Sequence, residues 1–462
     1  MLIRRAHVFG GDFTDVRVTG DRISECGTGL RPLPGEDDID ACGGWLIPGL
    51  HDHHIHLRAL AATLGSTRLG PPDVRTVTEF IAELRARDHS SPPSSWIRGV
   101  HYHESVAGAL DRTALDRIVG TRPVRIQHRS GALWMLNSAG CAAVGLEQCG
   151  EPGVERDAGG RPTGRLWRMD SWLGARIGSP PVDLTAVGRE AARQGITGFT
   201  DATPGLHAPA VRGYSDAVSK GQIRQRLHCM ASPDVSDPEI DRFTVGPTKI
   251  LLDDETLPDL DTFAEQIRTA HAAHRPVAVH CVTRVQLILT VAALDVAGTY
   301  PGDRIEHGAI IPAGVMPWLR HNQVPVVTQP HFPCERGEQY EADVASEDKP
   351  DLWRLGSLVR AGVGVAAGTD APFGSADPWR MMAAAVTRTT EHTETEAVSL
   401  PDAVGLCIGY ADQPTLRRTI RPSELADLSL LTMGPHDLAT TSIADAAVAA
   451  TIVGGEPIHL LK

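Results

Sequence analysis

No apolar run in this chain is long enough to span a bilayer, so a membrane span is not expected. Behind the basic start Met1-Leu2-Ile3-Arg4-Arg5 no apolar stretch follows, which argues against a secretory signal. The eight cysteines are scattered, with no Cys-x-x-Cys pair. That argues against a disulfide framework and a cysteine-built zinc site, and fits a reducing compartment such as the cytoplasm. Basic residues are outnumbered, 44 Lys and Arg against 57 Asp and Glu, for a net charge of −13. Nucleic acid is therefore a poor partner, and a membrane surface is not indicated. There is no repeat of fixed period and no extended low-complexity segment.

What is present is enough apolar residue, 42% of 462, to fill a large core. The first 47 residues read as a small antiparallel sheet. Val16 and Val18 alternate with polar neighbours, Gly20-Asp21 suits a tight hairpin, and Ile23 resumes the apolar side. Short strands return near the other end, at 425–431 and 446–453, before the turn signal Gly454-Gly455. Residues 1–47 and 416–462 are accordingly assigned to one β-sandwich. Between them, apolar strands alternate with longer amphipathic segments, the pattern of βα units. After an opening strand at 48–56, strands are predicted at 196–201, 226–231, 249–252, 277–281, 304–308, 324–329 and 363–370. Eight is the number a closed parallel barrel requires. The expected fold is thus α/β: a (β/α)8 TIM-like barrel over 48–415 with a small β-sandwich formed by both chain ends. An insertion at about 60–185 carries further strand-like pieces at 96–100 and 124–127.

The first strand contains Pro48-Gly49-Leu50-His51-Asp52-His53-His54-Ile55-His56. Side chains alternate along a strand, so His54 and His56 share a face, where two imidazoles can close on one cation. Alone, such a pair is weak evidence, because it arises often on polar surfaces. The setting strengthens it. Lys249 opens the fourth strand, His280 and His307 end the fifth and sixth, and Asp370 ends the eighth. A barrel carries its chemistry at those strand ends.

Together these pieces resemble the amidohydrolase superfamily, in the metal-dependent branch that includes N-substituted formamide deformylases. The resemblance rests on residues 48–56, Thr248-Lys249-Ile250, Val277-Ala278-Val279-His280, Asp303-Arg304-Ile305-Glu306-His307, Val327-Thr328-Gln329-Pro330 and Gly368-Thr369-Asp370-Ala371-Pro372. Trp96-Ile97-Arg98-Gly99, Leu136-Asn137-Ser138 and Gly160-Arg161-Pro162-Thr163-Gly164 match the insertion, and Leu425-Ala426-Asp427-Leu428 the returning sandwich. The resemblance implies one or two divalent metals, usually zinc. His54, His56 and Asp370 would hold one and His280 and His307 the other, with Lys249 bridging them as a carbamate formed with carbon dioxide. Carbamylation needs a neutral amine, which burial and nearby cations favour. The implied activity is hydrolysis of an amide-type C–N bond in a small molecule. Asp370 would move the proton and His331 would meet the substrate. Deamination, or opening of a cyclic amide or lactone, uses the same site. A metal-free barrel kept for binding is the rival of another class, and the retained ligand set speaks against it.

Three segments depart from the branch: Cys281-Val282-Thr283-Arg284 after His280, Ala132 where a histidine is usual, and Leu252-Asp253-Asp254-Glu255. Substrate analogy is weakest there. A second His-x-His, His101-Tyr102-His103-Glu104, has the same face geometry but no partners around a barrel; His103 is a candidate substrate-binding residue. His53 and Glu306 are expected to face away from the barrel interior and orient the ligands. Arg388 is assigned to a surface ion pair and Met381-Met382 to the core. The expected partner is a small-molecule substrate, and a homo-oligomer is left open.

Overall fold

The computed structural model describes all residues except 93–94, 178–182, 389–395, 441 and 462. The chain divides into two compact units, Met1–Leu57 with Leu184–Lys462, and Arg58–Asp183.

In the first unit both chain ends pair into one mixed sheet. Its order is Glu456–Leu460, Val448–Val453, Leu428–Leu431, Trp45–Pro48, Leu2–Val8, Phe13–Thr19 and Arg22–Gly27, with Asp38–Asp40 beside Leu2–Val8. The alternating valines do their work here: Val16, Val18 and Ile23 are buried with Ile3, Leu46, Leu428 and Ile452. The turn at Gly455 (φ +76°) admits no side chain, since a Cβ would lie 2.0 Å from Gly20 O. Leu428 pairs with Pro48, so the C-terminal return is stitched to the residues that open the site.

The same unit holds two parallel sheets. One has the order Phe243–Val245, Arg226–Cys229, Ile196–Asp201, Leu50–Ile55. The other runs Thr248–Leu251, Val277–Cys281, Arg304–His307, Val326–Thr328, Val365–Ala367. Their residues are buried almost throughout, as strands covered on both faces must be. Among the described residues, strand pairing leaves the sheets separate, where a single closed sheet was expected. Hydrogen bonds nevertheless link their neighbouring ends: Asp370 N to His54 O at 2.7 Å, His56 N to Ala371 O at 2.9 Å, and Ala231 N to Pro247 O at 3.1 Å. The last strand stops at Ala367 rather than 370. Asp370 has φ +52°, which no strand tolerates. Phe243–Val245 was not legible, being three residues long with polar neighbours.

Helices join the parallel strands. Leu260–Ala272 buries Phe263, Ile267 and Ala270 on one stripe and is capped by Asp259, whose side chain accepts from Thr262 N. Arg284–Ala297 starts at a capping box formed by Thr283 and Gln286. Among the described residues no helix is long and apolar enough to cross a membrane.

The Arg58–Asp183 unit is built on a six-stranded sheet, Val154–Arg156, Pro162–Trp167, Leu133–Leu136, Val124–His128, Ile97–Tyr102, Thr67–Arg68. Helix Val77–Ser90 packs Phe80 and Leu84 into its core beside Ile97, Tyr102, Ile126 and Met135. Each such side chain contributes about 1.5–3 kcal/mol.

Candidate metal centre

The site is built where strand Leu50–Ile55 meets the segment after Val365–Ala367. Asp52 clamps the two. Its buried carboxylate accepts from Thr369 N (2.9 Å), Thr369 Oγ1 (2.6 Å) and His54 N (3.2 Å). Burial pushes its pKa up to about 6 against those three hydrogen bonds. The approach is so close that a Cβ on Gly368 would stand 2.2 Å from His54 N. Asp370 and His307 both sit at positive φ, +52° and +68°. That conformation costs about 1–2 kcal/mol for an L residue and marks a constrained site.

His54 Nε2 lies 3.6 Å and His56 Nε2 3.1 Å from Asp370 Oδ1. One ligand atom from each of the three falls within 4.8 Å of the others. The His307 ring centroid is 4.7 Å from that of His54 and 4.5 Å from that of His280. Lys249, one of only four lysines in the chain, is buried close enough to lower the pKa of His54 and His307. Burial in turn holds the lysine below its usual range, with Glu306 and Asp370 opposing. Burial also keeps both imidazoles neutral, the form that donates a lone pair.

Two groups set the histidine tautomers. Glu306 Oε2 accepts from His54 Nδ1, while its Oε1 takes Arg304 Nε at 2.6 Å. Arg304 is itself buried and donates to His53 O. Gln329 Oε1 accepts from His307 Nδ1 at 2.9 Å. In each ring Nε2 keeps the lone pair, as a ligand requires. Gln329 lies in one of the motifs that carry the resemblance, but its role as the partner of His307 shows only in the structure.

These residues fit a divalent cation. His54 Nε2, Asp370 Oδ1 and Lys249 Nζ are buried without a hydrogen bond. Such groups cost about 1–3 kcal/mol each unless something satisfies them. Imidazoles with a carboxylate are the donor set of a borderline metal.

His331 is buried edge-on to Phe332, ring centroids 5.0 Å apart, and Gly374 packs against its Nε2. Burial, aided by Arg336, lowers its pKa to about 3. Arg336 stacks over Phe332 at 4.2 Å and donates to Phe373 O, and the Phe373 ring stands 5.3 Å from His56. Phe332, Trp353 and Tyr340 form an apolar cluster that sequence reasoning did not find. Its residues come from separate segments with no shared period.

His53 is fully buried beside His51. Glu306, expected to orient a ligand, touches His54 directly. Arg388 is no surface residue: it is buried and donates to Trp353 O. Both methionines are in the core. Two of the unusual segments are structural. Thr283 caps its helix and donates to Asp254 Oδ1 at 3.0 Å, Asp253 caps the turn Asp254–Thr256, and Arg284 pairs with Asp348 and Asp351. His103 belongs to the Arg58–Asp183 unit, with Glu104 and His128 as neighbours.

A model of the amidohydrolase family matches residues 37–459. The chain belongs to the amidohydrolase family. Among curated proteins it is similar to an N-substituted formamide deformylase from Arthrobacter pascens, 23% identical over 95% of this chain and 94% of the relative. Among solved structures, an uncharacterized metal-dependent hydrolase from Pyrococcus furiosus superposes with a TM-score of 0.74, at 19% identity over 94% of this chain and 99% of that one. Atrazine chlorohydrolase TrzN from Arthrobacter aurescens, complexed with zinc, gives 0.58 at 14% identity, over 99% and 95%. These likenesses establish the fold. Family membership makes this chain a hydrolase, and His54, His56 and Asp370 are grouped so that they could hold a metal ion.

Proposed function

We propose that this amidohydrolase cleaves an amide-type C–N bond of a small molecule at a divalent centre, with zinc as the metal. His54, His56 and Asp370 would hold one ion and His280 and His307 a second, joined by Lys249 as its carbamate. The observation that carries the reading is the set of buried groups without hydrogen bonds, His54 Nε2, Asp370 Oδ1 and Lys249 Nζ. The two parallel sheets are read as halves of one (β/α)8 barrel, with the mixed terminal sheet as its sandwich. The net charge favours a small substrate over a nucleic acid, and eight free cysteines suit the cytoplasm.

When bound, the metal brings the pKa of a coordinated water from about 15.7 to about 7 and polarises the carbonyl. The rest falls to the chain. The Asp370 carboxylate takes the proton from the attacking water and returns it to the leaving nitrogen, so acid and amine leave with protons balanced. His331 stays neutral near pH 7 because of its burial, so it can donate an N–H to the carbonyl oxygen without carrying charge. Glu306 and Gln329 hold the imidazoles in the ligating tautomer.

Asp370→Asn tests the proposal on a panel of formamides, N-acyl amines, cyclic amides and lactones. Turnover should fall about 10²–10⁴-fold, the range of a lost general base, with most of the metal retained. Near-normal turnover in a metal-loaded variant would remove Asp370 from this role.

A further inference from the structure

The second His-x-His stretch also ends in a cluster of ligand atoms, within the Arg58–Asp183 unit. Strand Ile97–Tyr102 is bulged: its register against Val124–His128 shifts between Gly99 and Tyr102, and His101 sits at φ +64°. The bulge breaks the alternation expected of His101 and His103. Tyr102 is brought opposite His128, and the residue that follows, His103, comes to lie beside it, ring centroids 5.7 Å apart.

Both histidines are held by the same local device. His103 Nδ1 is 2.8 Å from Ser105 Oγ and accepts from Ser105 N at 3.2 Å. His128 Nδ1 is 2.7 Å from Ser130 Oγ and accepts from Ser130 N at 3.1 Å. Glu104 closes the group, its Oε2 3.0 Å from His128 Nε2. One ligand atom from each of His103, Glu104 and His128 lies within 4.8 Å of the others.

We propose that His103, Glu104 and His128 form a second divalent-metal site of the zinc type, separate in its ligands from the first. Two imidazoles and one carboxylate are too nitrogen-rich for magnesium or calcium and suit a borderline ion with a remaining position for water. The proton balance closes. Ligation through Nε2 requires each ring to carry its proton on Nδ1, donated to Ser105 Oγ and Ser130 Oγ, in exchange for the backbone N–H bonds that Nδ1 accepts in the metal-free protein. The cation then takes the Nε2 lone pair with no net proton change. The paired serines stand where outer hydrogen bonds stabilise ligating histidines.

Equilibrium dialysis of the full-length protein against micromolar Zn2+, with metal counting, tests this. His128→Ala and Glu104→Gln should each bind one equivalent fewer than the parent chain. Equal stoichiometry in parent and variants overturns the proposal. Should His128→Ala fail to fold, the exposed substitution Glu104→Gln decides alone. Crystals soaked in Zn2+ should give an anomalous peak about 2.0–2.2 Å from all three donors. A peak at His54, His56 and Asp370 with none here would leave the first centre standing and remove the second.

Discussion

His54–His56 and His101–His103 share a spacing, and each gathers a carboxylate. In the first stretch the partners come from far along the chain. Asp370 lies beside both rings, Glu306 sets the tautomer of His54, and Lys249 is buried close by. In the second they are local: Glu104 is next in sequence, and His128 is the only distant member. The first site is enclosed, with His54 and Glu306 fully buried, while Glu104 leaves 41% of its side chain exposed. A ligand pair within a closed network keeps groups that only a bound species can satisfy. A pair at the surface finds serines and solvent. The same two residues therefore imply different affinities and different dependence on their neighbours.

Glu306→Ala should separate the two sites most. It removes the partner of buried Arg304 and the tautomer lock on His54. About 3–5 kcal/mol of stability should be lost and first-site metal affinity should weaken 10–100-fold, read by denaturant melts and metal competition. Wild-type affinity would mean the lock is irrelevant. His228 shows burial acting on an imidazole outside the ligand sets: burial first, then Arg304, lowers it from 6.5 to about 3. The unfolded chain then binds the proton first, so stability is lost as pH falls below 6.5 toward the folded value. About 3 kcal/mol should go between pH 6.5 and about pH 4, and His228→Asn should flatten that slope. Parallel slopes would rule it out. Gly368→Ala drives a Cβ against the His54 backbone and should cost about 1–3 kcal/mol with slower turnover. The smallest effect belongs to the open site. Glu104→Gln should change stability by under about 1 kcal/mol in metal-free protein, because its ion pair is half exposed. A large loss there would make the cluster structural.

Much of the frame was legible because its signals are local. All eight strands expected between the chain ends recur within a few residues, since apolar runs and turn residues act over short distances. Helix Leu260–Ala272 follows from its stripe and cap. Arg388 was misplaced because a charge near helical residues reads as surface, whereas the fold buries the whole side chain and pairs its Nη2 with Trp353 O. The bulge at His101 carries no residue signal, as neither histidine nor valine announces a positive φ.

The sequence by itself determined which residues carry chemistry and which elements present them: alternation, capping and strand length are properties of neighbours a few residues apart. Only the tertiary structure decided who meets whom. His54 and Glu306 are 252 positions apart, and Thr369 and Asp52 317. Strand order and register bring them together, and both are set by burial over the whole chain rather than by any stretch of it.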